Sequence, residues 1–333
     1  MTAQPSQSRG RFDQTARRDI AFGVLTLALV SGVAFAFPGF AAPTNLADVL
    51  NDTSILILLA LGQMVVILTR GIDLSVAANL ALSGMIVALF NRSFPEAGLV
   101  PIVSVALLSG ITLGAFNGIL VWKLRLPPIV VTLGTMSIYR GVIYLLSQGA
   151  WINENEMSRD FLGYVRAEFL GLSSLSWLAI LAAAGGMVTL RYTNVGRNMY
   201  AAGGNPAAAA YTGIDPGRMQ FLAYAASGAL AGLCGYLWVA RFAVAYTDIA
   251  LGFELQVIAA CLIGGVAITG GVGSVIGVVL GCLFIGVIKN ALPLVGISAF
   301  WQMFINGVVI VAAVLLSARH REDKRSILEA RPA

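Results

Sequence analysis

Acid–base, metal or nucleotide chemistry needs particular residues close together, and this 333-residue sequence holds few that could supply it. The one histidine is His320, near the C-terminus. Cys234, Cys261 and Cys282 lie inside apolar stretches with no metal-ligand spacing, so they read as packing residues. A phosphate-cradling G-x-x-x-x-G-K-[S/T] loop requires glycine directly before lysine, but Lys123, Lys289 and Lys324 follow Trp122, Ile288 and Asp323. The carboxylates nearest the apolar runs, Asp73 and Glu254, stand at segment ends, where an acid at the interface would cap a helix start. A membrane enzyme is therefore disfavoured. So is a carrier that relays protons or sodium through buried acids or histidines, although backbone carbonyls alone can bind sodium. No cofactor or metal is expected on this chain.

The elements that must position the remaining polar residues are transmembrane helices. Hydrophobic residues make up 58% of the chain and charged residues 11%, against about 25% charged in soluble domains. Apolar segments cover approximately 20–37, 54–69, 74–90, 98–122, 128–146, 172–190, 219–239, 255–270, 272–290 and 299–317. Most match the roughly 20 residues that cross a bilayer. The fold expected is all-α and polytopic, with about ten spans in a lipid bilayer. Short breaks at 71–73 and 270–271 could each be a kink or a re-entrant turn. With the N-terminus inside, fifteen Arg and Lys residues fall in the cytoplasm, among them Arg17, Arg70, Lys123, Arg191, Arg197 and Arg218. Only Arg92, Arg159, Arg166 and Arg241 fall outside. That asymmetry places both termini in the cytoplasm. It also reads the net charge of +5 as membrane anchoring rather than nucleic-acid binding. The chain divides into a cytoplasmic tail 1–19, a membrane domain 20–318 containing a cytoplasmic loop 191–218, and a cytoplasmic tail 319–333. A cleavable leader ending at Ala34-Phe35-Ala36 is a competing reading of the first segment.

An inverted repeat is expected. Gly110, Gly114 and Gly118 precede Leu126-Pro127, and Gly273, Gly277 and Gly281 precede Leu292-Pro293. Gly71-Ile72-Asp73-Leu74 with Gly84 is echoed by Gly252-Phe253-Glu254-Leu255 with Gly265. The matching segments lie five spans apart, an odd offset that opposes their orientations. Glycines four apart let a neighbouring backbone approach closely. In the loop, Asn205-Pro206 is an N-cap and first-turn pair, four alanines favour helix, and Gly213 can end it. Such a short, nearly uncharged helix suits a groove on another protein.

The loop from Gly196-Arg197-Asn198-Met199-Tyr200 through Gly203-Gly204-Asn205 and Ala207-Ala208 to Gly213-Ile214 resembles the coupling loop of one group of ATP-binding-cassette (ABC) importer permeases. This is the ribose, xylose and rhamnose group, related to the branched-chain permeases. Thr69-Arg70-Gly71-Ile72-Asp73-Leu74-Ser75-Val76, Asn117-Gly118, the run from Pro128 to Thr135, and Gly264-Gly265 extend the resemblance over about 55–317. Ala77 departs from the glycine frequent there. Tyr139-Arg140-Gly141 and Gly149-Ala150-Trp151-Ile152 look most like rhamnose and autoinducer transporters. The resemblance implies a non-catalytic permease in the bacterial inner membrane, paired with a second permease subunit. It also implies a cytoplasmic ATPase that carries ATP and Mg, and a periplasmic protein that delivers a monosaccharide. An ion-coupled transporter or facilitator is the alternative.

On that reading Gly203, Asn205, Ala207, Ala208 and Gly213 contact the ATPase. Asn79, Asn117, Thr132, Thr135, Tyr139 and Gln302, polar residues inside apolar spans, are candidates for the sugar path. Trp151, Glu154 and Glu156, in the longest external loop, are candidates for docking the sugar-binding protein. Arg140, about two turns from the outer end of its span, is expected to snorkel outward.

Overall fold

Apolar runs separated by glycine- and proline-bearing breaks become helices wherever the backbone can satisfy its own hydrogen bonds. The computed structural model describes residues 7–294 and a few positions between 296 and 308. Eight helices among the described residues are long and apolar enough to cross a membrane. They are α1 (Gln7–Ala36, with its apolar part from Arg17), α2 (Pro43–Leu68), α3 (Val76–Ser93), α4 (Leu99–Trp122) and α5 (Pro128–Ser147), followed by α7 (Ser174–Tyr192), α10 (Pro216–Phe242) and α12 (Val275–Leu294). Between them stand the short helices α6 (Arg159–Arg166), α8 (Asn194–Gly204), α9 (Pro206–Tyr211) and α11 (Phe253–Ile263). The chain is a polytopic helical membrane protein. Most of the expected span 299–317 lies outside the described residues.

Both expected breaks are present. Residues 69–75 form a non-helical link between α2 and α3. Where a span over 255–270 is expected, α11 has 11 residues, about 16 Å of helix, too short to cross alone. It stops because Gly264 and Gly265 follow it, and residues 264–274 form a second non-helical link.

The core lies around α2, most of whose apolar window is buried. Cys234, Cys261 and Cys282 are fully buried and point at the Ile55, Ala60 and Leu56 carbonyls of that helix, as packing residues would. Glycines on α4 meet glycines on α10. A Cβ added at Gly114 would stand 2.8 Å from Gly228 Cα, leaving backbone against backbone. In the second glycine series Gly281 faces α11, where a Cβ would lie 2.9 Å from Gly264 N.

The links sort to two ends. One end carries 69–75, the α4–α5 turn with Lys123 and Arg125, α8, α9 and 264–274, joined by bonds such as Trp122 to Asp215 at 3.2 Å and Gln220 to the Thr69 carbonyl at 3.1 Å. This is the basic end of the molecule. At the other end β1 (Ile152–Asn153) pairs antiparallel with β2 (Val244–Ala245), with Ile152 opposite Ala245. There Ser158 caps α6, which lays Phe161, Leu162 and Val165 on the bundle. Arg140 reaches the irregular backbone at this same end. Its guanidinium donates to the Thr247 and Ile249 carbonyls at 3.1 and 2.7 Å, because the irregular backbone leading to α11 leaves acceptors that need donors.

Candidate functional site

At the basic end, Thr193 caps α8, and Asn205 closes α8 while opening α9. The Asn205 carboxamide oxygen accepts from Ala208 N at 3.1 Å, with Pro206 in the first turn. Gly213, at φ 84°, ends the helix in a left-handed conformation open to glycine. Ala207, Ala208, Ala210 and Tyr211 face outward while Ala209 is buried. Tyr211 is 94% exposed and stands at the tip of an otherwise small, uncharged surface. Gly203 faces inward. A side chain there would overlap the Leu68 carbonyl oxygen and come within 2.7 Å of Gly271 N.

Three backbone segments meet around Gly203. Gly271 N donates to the Leu68 carbonyl at 2.9 Å. Arg70 donates from Nε to the Gly203 carbonyl at 2.6 Å and from Nη2 to the Gly204 carbonyl at 2.9 Å, satisfying the open end of α8. Tyr200, one turn earlier on α8, donates its hydroxyl to the Gly273 carbonyl at 2.8 Å. Burial, with the Asp19 carboxylate nearby, holds the Tyr200 phenol above the usual tyrosine range, so it remains a protonated donor. The same link is held from α1: Arg18 donates to the Gly265 carbonyl at 2.6 Å, and Asp19 accepts from Ser274 at 2.5 Å.

The 69–75 link leads inward to a buried polar network. Asp73 is 1% exposed, and one carboxylate oxygen accepts from Ser75 N at 2.9 Å and Ser75 Oγ at 2.6 Å at the start of α3. Asn117 of α4 donates to Ser75 Oγ at 2.8 Å, and the Tyr139 hydroxyl lies 3.4 Å from Asn117 Oδ1 and donates to the Leu113 carbonyl at 2.7 Å. Thr132 and Tyr224 both donate to the Ile72 carbonyl. The Gln63 carboxamide brackets the Asp73 backbone once its nitrogen is set toward the carbonyl, at 3.2 and 3.1 Å. Thr135 bonds the Thr132 carbonyl at 3.4 Å, and Asn79 bonds the Gly110 carbonyl at 3.2 Å and accepts from Ser83. Asn117, Thr132, Thr135 and Tyr139 thus gather along the α4–α5 side, Asn79 of α3 bonds α4 at Gly110, and all five are buried and bonded. Gln302 lies outside the described residues.

At the opposite end Trp151 packs on Tyr246 with ring centres 5.2 Å apart, Glu154 pairs with Arg166 at 3.2 Å, and Glu156 pairs with Arg92 at 3.4 Å. Glu156 also accepts from Asn153 N at 3.0 Å, closing a capping box. The candidate docking acids are therefore each paired across the loop surface.

The junction of Arg70, Tyr200 and Gly271 was not among the sequence candidates. The sequence did mark its parts separately, Gly271 in the expected 270–271 break and Arg70 and Tyr200 within the resembling motifs, and Arg70 holds a φ of 69° where glycine would be expected.

A family model described as branched-chain amino acid transport system / permease component matches residues 45–314. The ribose import permease protein RbsC of Escherichia coli strain K12 is 34% identical over 320 residues, covering 95% of this chain and 98% of the relative. The autoinducer 2 import system permease protein LsrC of Escherichia coli strain K12 / DH10B is 35% identical over 303 residues, 89% of this chain and 87% of the relative. The galactose/methyl galactoside import permease protein MglC of Escherichia coli strain K12 is 34% identical over 310 residues, 89% and 92%. No solved structure matches at a significant level. The resemblance carried by the 196–214 loop and the 69–76 segment holds along nearly the whole chain. The chain belongs to the branched-chain amino acid transport system permease component family.

Proposed function

We propose that the chain is the transmembrane permease subunit of an ABC importer in the bacterial inner membrane. Its cargo on this reading is a monosaccharide, such as a pentose, a deoxyhexose or an autoinducer sugar. The observation that carries the reading is α9: a capped, uncharged helix held outside the bundle with its alanines and Tyr211 facing solvent. A partner groove gives that surface a reason to exist, and the import permeases among the relatives supply the transport role. The partner is a cytoplasmic ATPase that binds ATP and Mg. The positive-inside asymmetry puts the basic end and both tails in the cytoplasm. A second permease subunit completes the pore, and the opposite end receives a periplasmic sugar-binding protein.

The sugar path runs beside the network of Asn79, Asn117, Thr132, Thr135 and Tyr139, with Gln302 as a sixth contributor. Their hydrogen bonds then close the path in the resting protein and exchange for sugar hydroxyls during transport. A cysteine at Thr135 should become reactive to an aqueous thiol reagent while ATP is being hydrolysed and stay silent otherwise. Silence in every nucleotide state would place the path elsewhere.

Docking of the sugar-binding protein is assigned to the loop around Trp151, Glu154 and Glu156, since rim charges steer association. Reversing both acids to lysine should lower binding-protein-stimulated ATP hydrolysis without changing the basal rate. Because each acid is paired, the control is Glu154→Lys with Arg166→Glu, which keeps the pair but swaps its ends. Full stimulation in the double lysine variant at low and moderate salt would leave the loop as a connector.

A further inference from the structure

We propose that α8 moves the 264–274 link, and with it α11, through Arg70, Tyr200 and Gly271, making these three positioning residues for transport. The proposal rests on the reading above, in which an ATPase grips α9. Asn205 is at once the C-cap of α8 and the N-cap of α9, so the two helices are joined through a single residue. On its other side α9 reaches α10 through a turn at Gly213, whose left-handed backbone makes no tertiary contact within 4 Å of a Cβ position. A displacement of α9 therefore passes more directly into α8 than into α10.

The inner end of α8 is fastened to the two non-helical links. Arg70 spans from the 69–75 link to the Gly203 and Gly204 carbonyls, and the Gly271 amide joins the 264–274 link to Leu68. Side chains are excluded, since a Cβ on Gly271 would reach Gly204 and one on Gly270 would lie 2.6 Å from Arg70 Cγ and 3.1 Å from the Gly203 carbonyl. Close-packed backbones transmit displacement rather than absorbing it. Tyr200 adds a second attachment, to Gly273, one turn away. Arg70 holds φ 69°, a conformation that side chains rarely adopt and that persists when the surroundings enforce it. Beyond the link, α11 is 11 residues long with irregular backbone at both ends, so it can shift as one piece. Arg70 also stands two residues before Ile72, whose carbonyl anchors Thr132 and Tyr224, so the same junction reaches the polar network.

The test uses the full chain carrying Arg70→Gln or, as the milder change, Tyr200→Phe, which removes one hydroxyl. In the isolated permease, hydrogen exchange should rise about ten-fold across 266–273 in both variants, with α10 unchanged. In the assembled transporter, hydrolysis should persist while sugar imported per ATP falls at least about five-fold. Unchanged exchange at 266–273, a change confined to 216–230, or normal import per ATP would each overturn the proposal. The exchange measurement needs no ATPase. Failure of the wild-type chain to import with any ATPase, despite the expected exchange pattern, would instead remove the functional reading beneath it.

Discussion

Ala208→Glu should abolish sugar uptake while the permease still inserts and folds. Ala208 is exposed on α9 and touches no part of the bundle that a longer side chain must disturb, so the effect falls on the partner interface. Placing an unpaired carboxylate in an apolar groove costs about 3 kcal/mol or more, roughly 100-fold in affinity. A bulky residue at Gly213 acts in the same direction, because φ 84° penalises any side chain and shifts the end of α9. Uptake and ATPase co-purification, measured on the same membranes, check both variants. Normal values for Ala208→Glu would remove α9 as the contact.

The second large effect is on folding. Gly232→Val should leave little native protein, since even a Cβ there would overlap the Ala106 carbonyl and stand 2.8 Å from Gly110 Cα. Both obstacles are backbone, so no side chain can rotate away, and the cost exceeds the 1–3 kcal/mol, roughly, of ordinary overpacking. Gly134→Ala on α5 is the matched control, as its Cβ would meet nothing within 4 Å. Thermal unfolding in detergent should show a large loss for Gly232→Val and nearly none for Gly134→Ala. Equal stability of the two would mean that α4 and α10 do not pack through their glycines.

The features legible in the sequence were those with local signals. Asn205, Pro206 and Gly213 announce the start and stop of α9 because capping is decided within a few residues. The glycines of α4 announce close packing, though not that the partner would be α10. The length of α11 was hidden, since hydropathy does not separate an apolar helix from an apolar link broken at Gly264 and Gly265. The partners of Arg140 were hidden for a related reason: its depth in the span does not show that its guanidinium would meet the Thr247 and Ile249 carbonyls. Arg70 and Gly203 meet across 133 positions, and nothing near either one marks the other. Asn117 and Tyr139 were found as polar residues in apolar spans. Sequence alone does not tell a residue that bonds a neighbouring helix from one that bonds a passing sugar, because both uses need the same donors and acceptors.

The central claim, a permease energised by a partner, is tested most directly in proteoliposomes. The chain alone should give no concentrative uptake of ribose, rhamnose or galactose under an imposed proton or sodium gradient. Adding a cytoplasmic ABC ATPase, a sugar-binding protein and ATP should produce uptake of the sugar that binding protein carries. Gradient-driven accumulation by the chain alone would contradict the account and make it a secondary transporter.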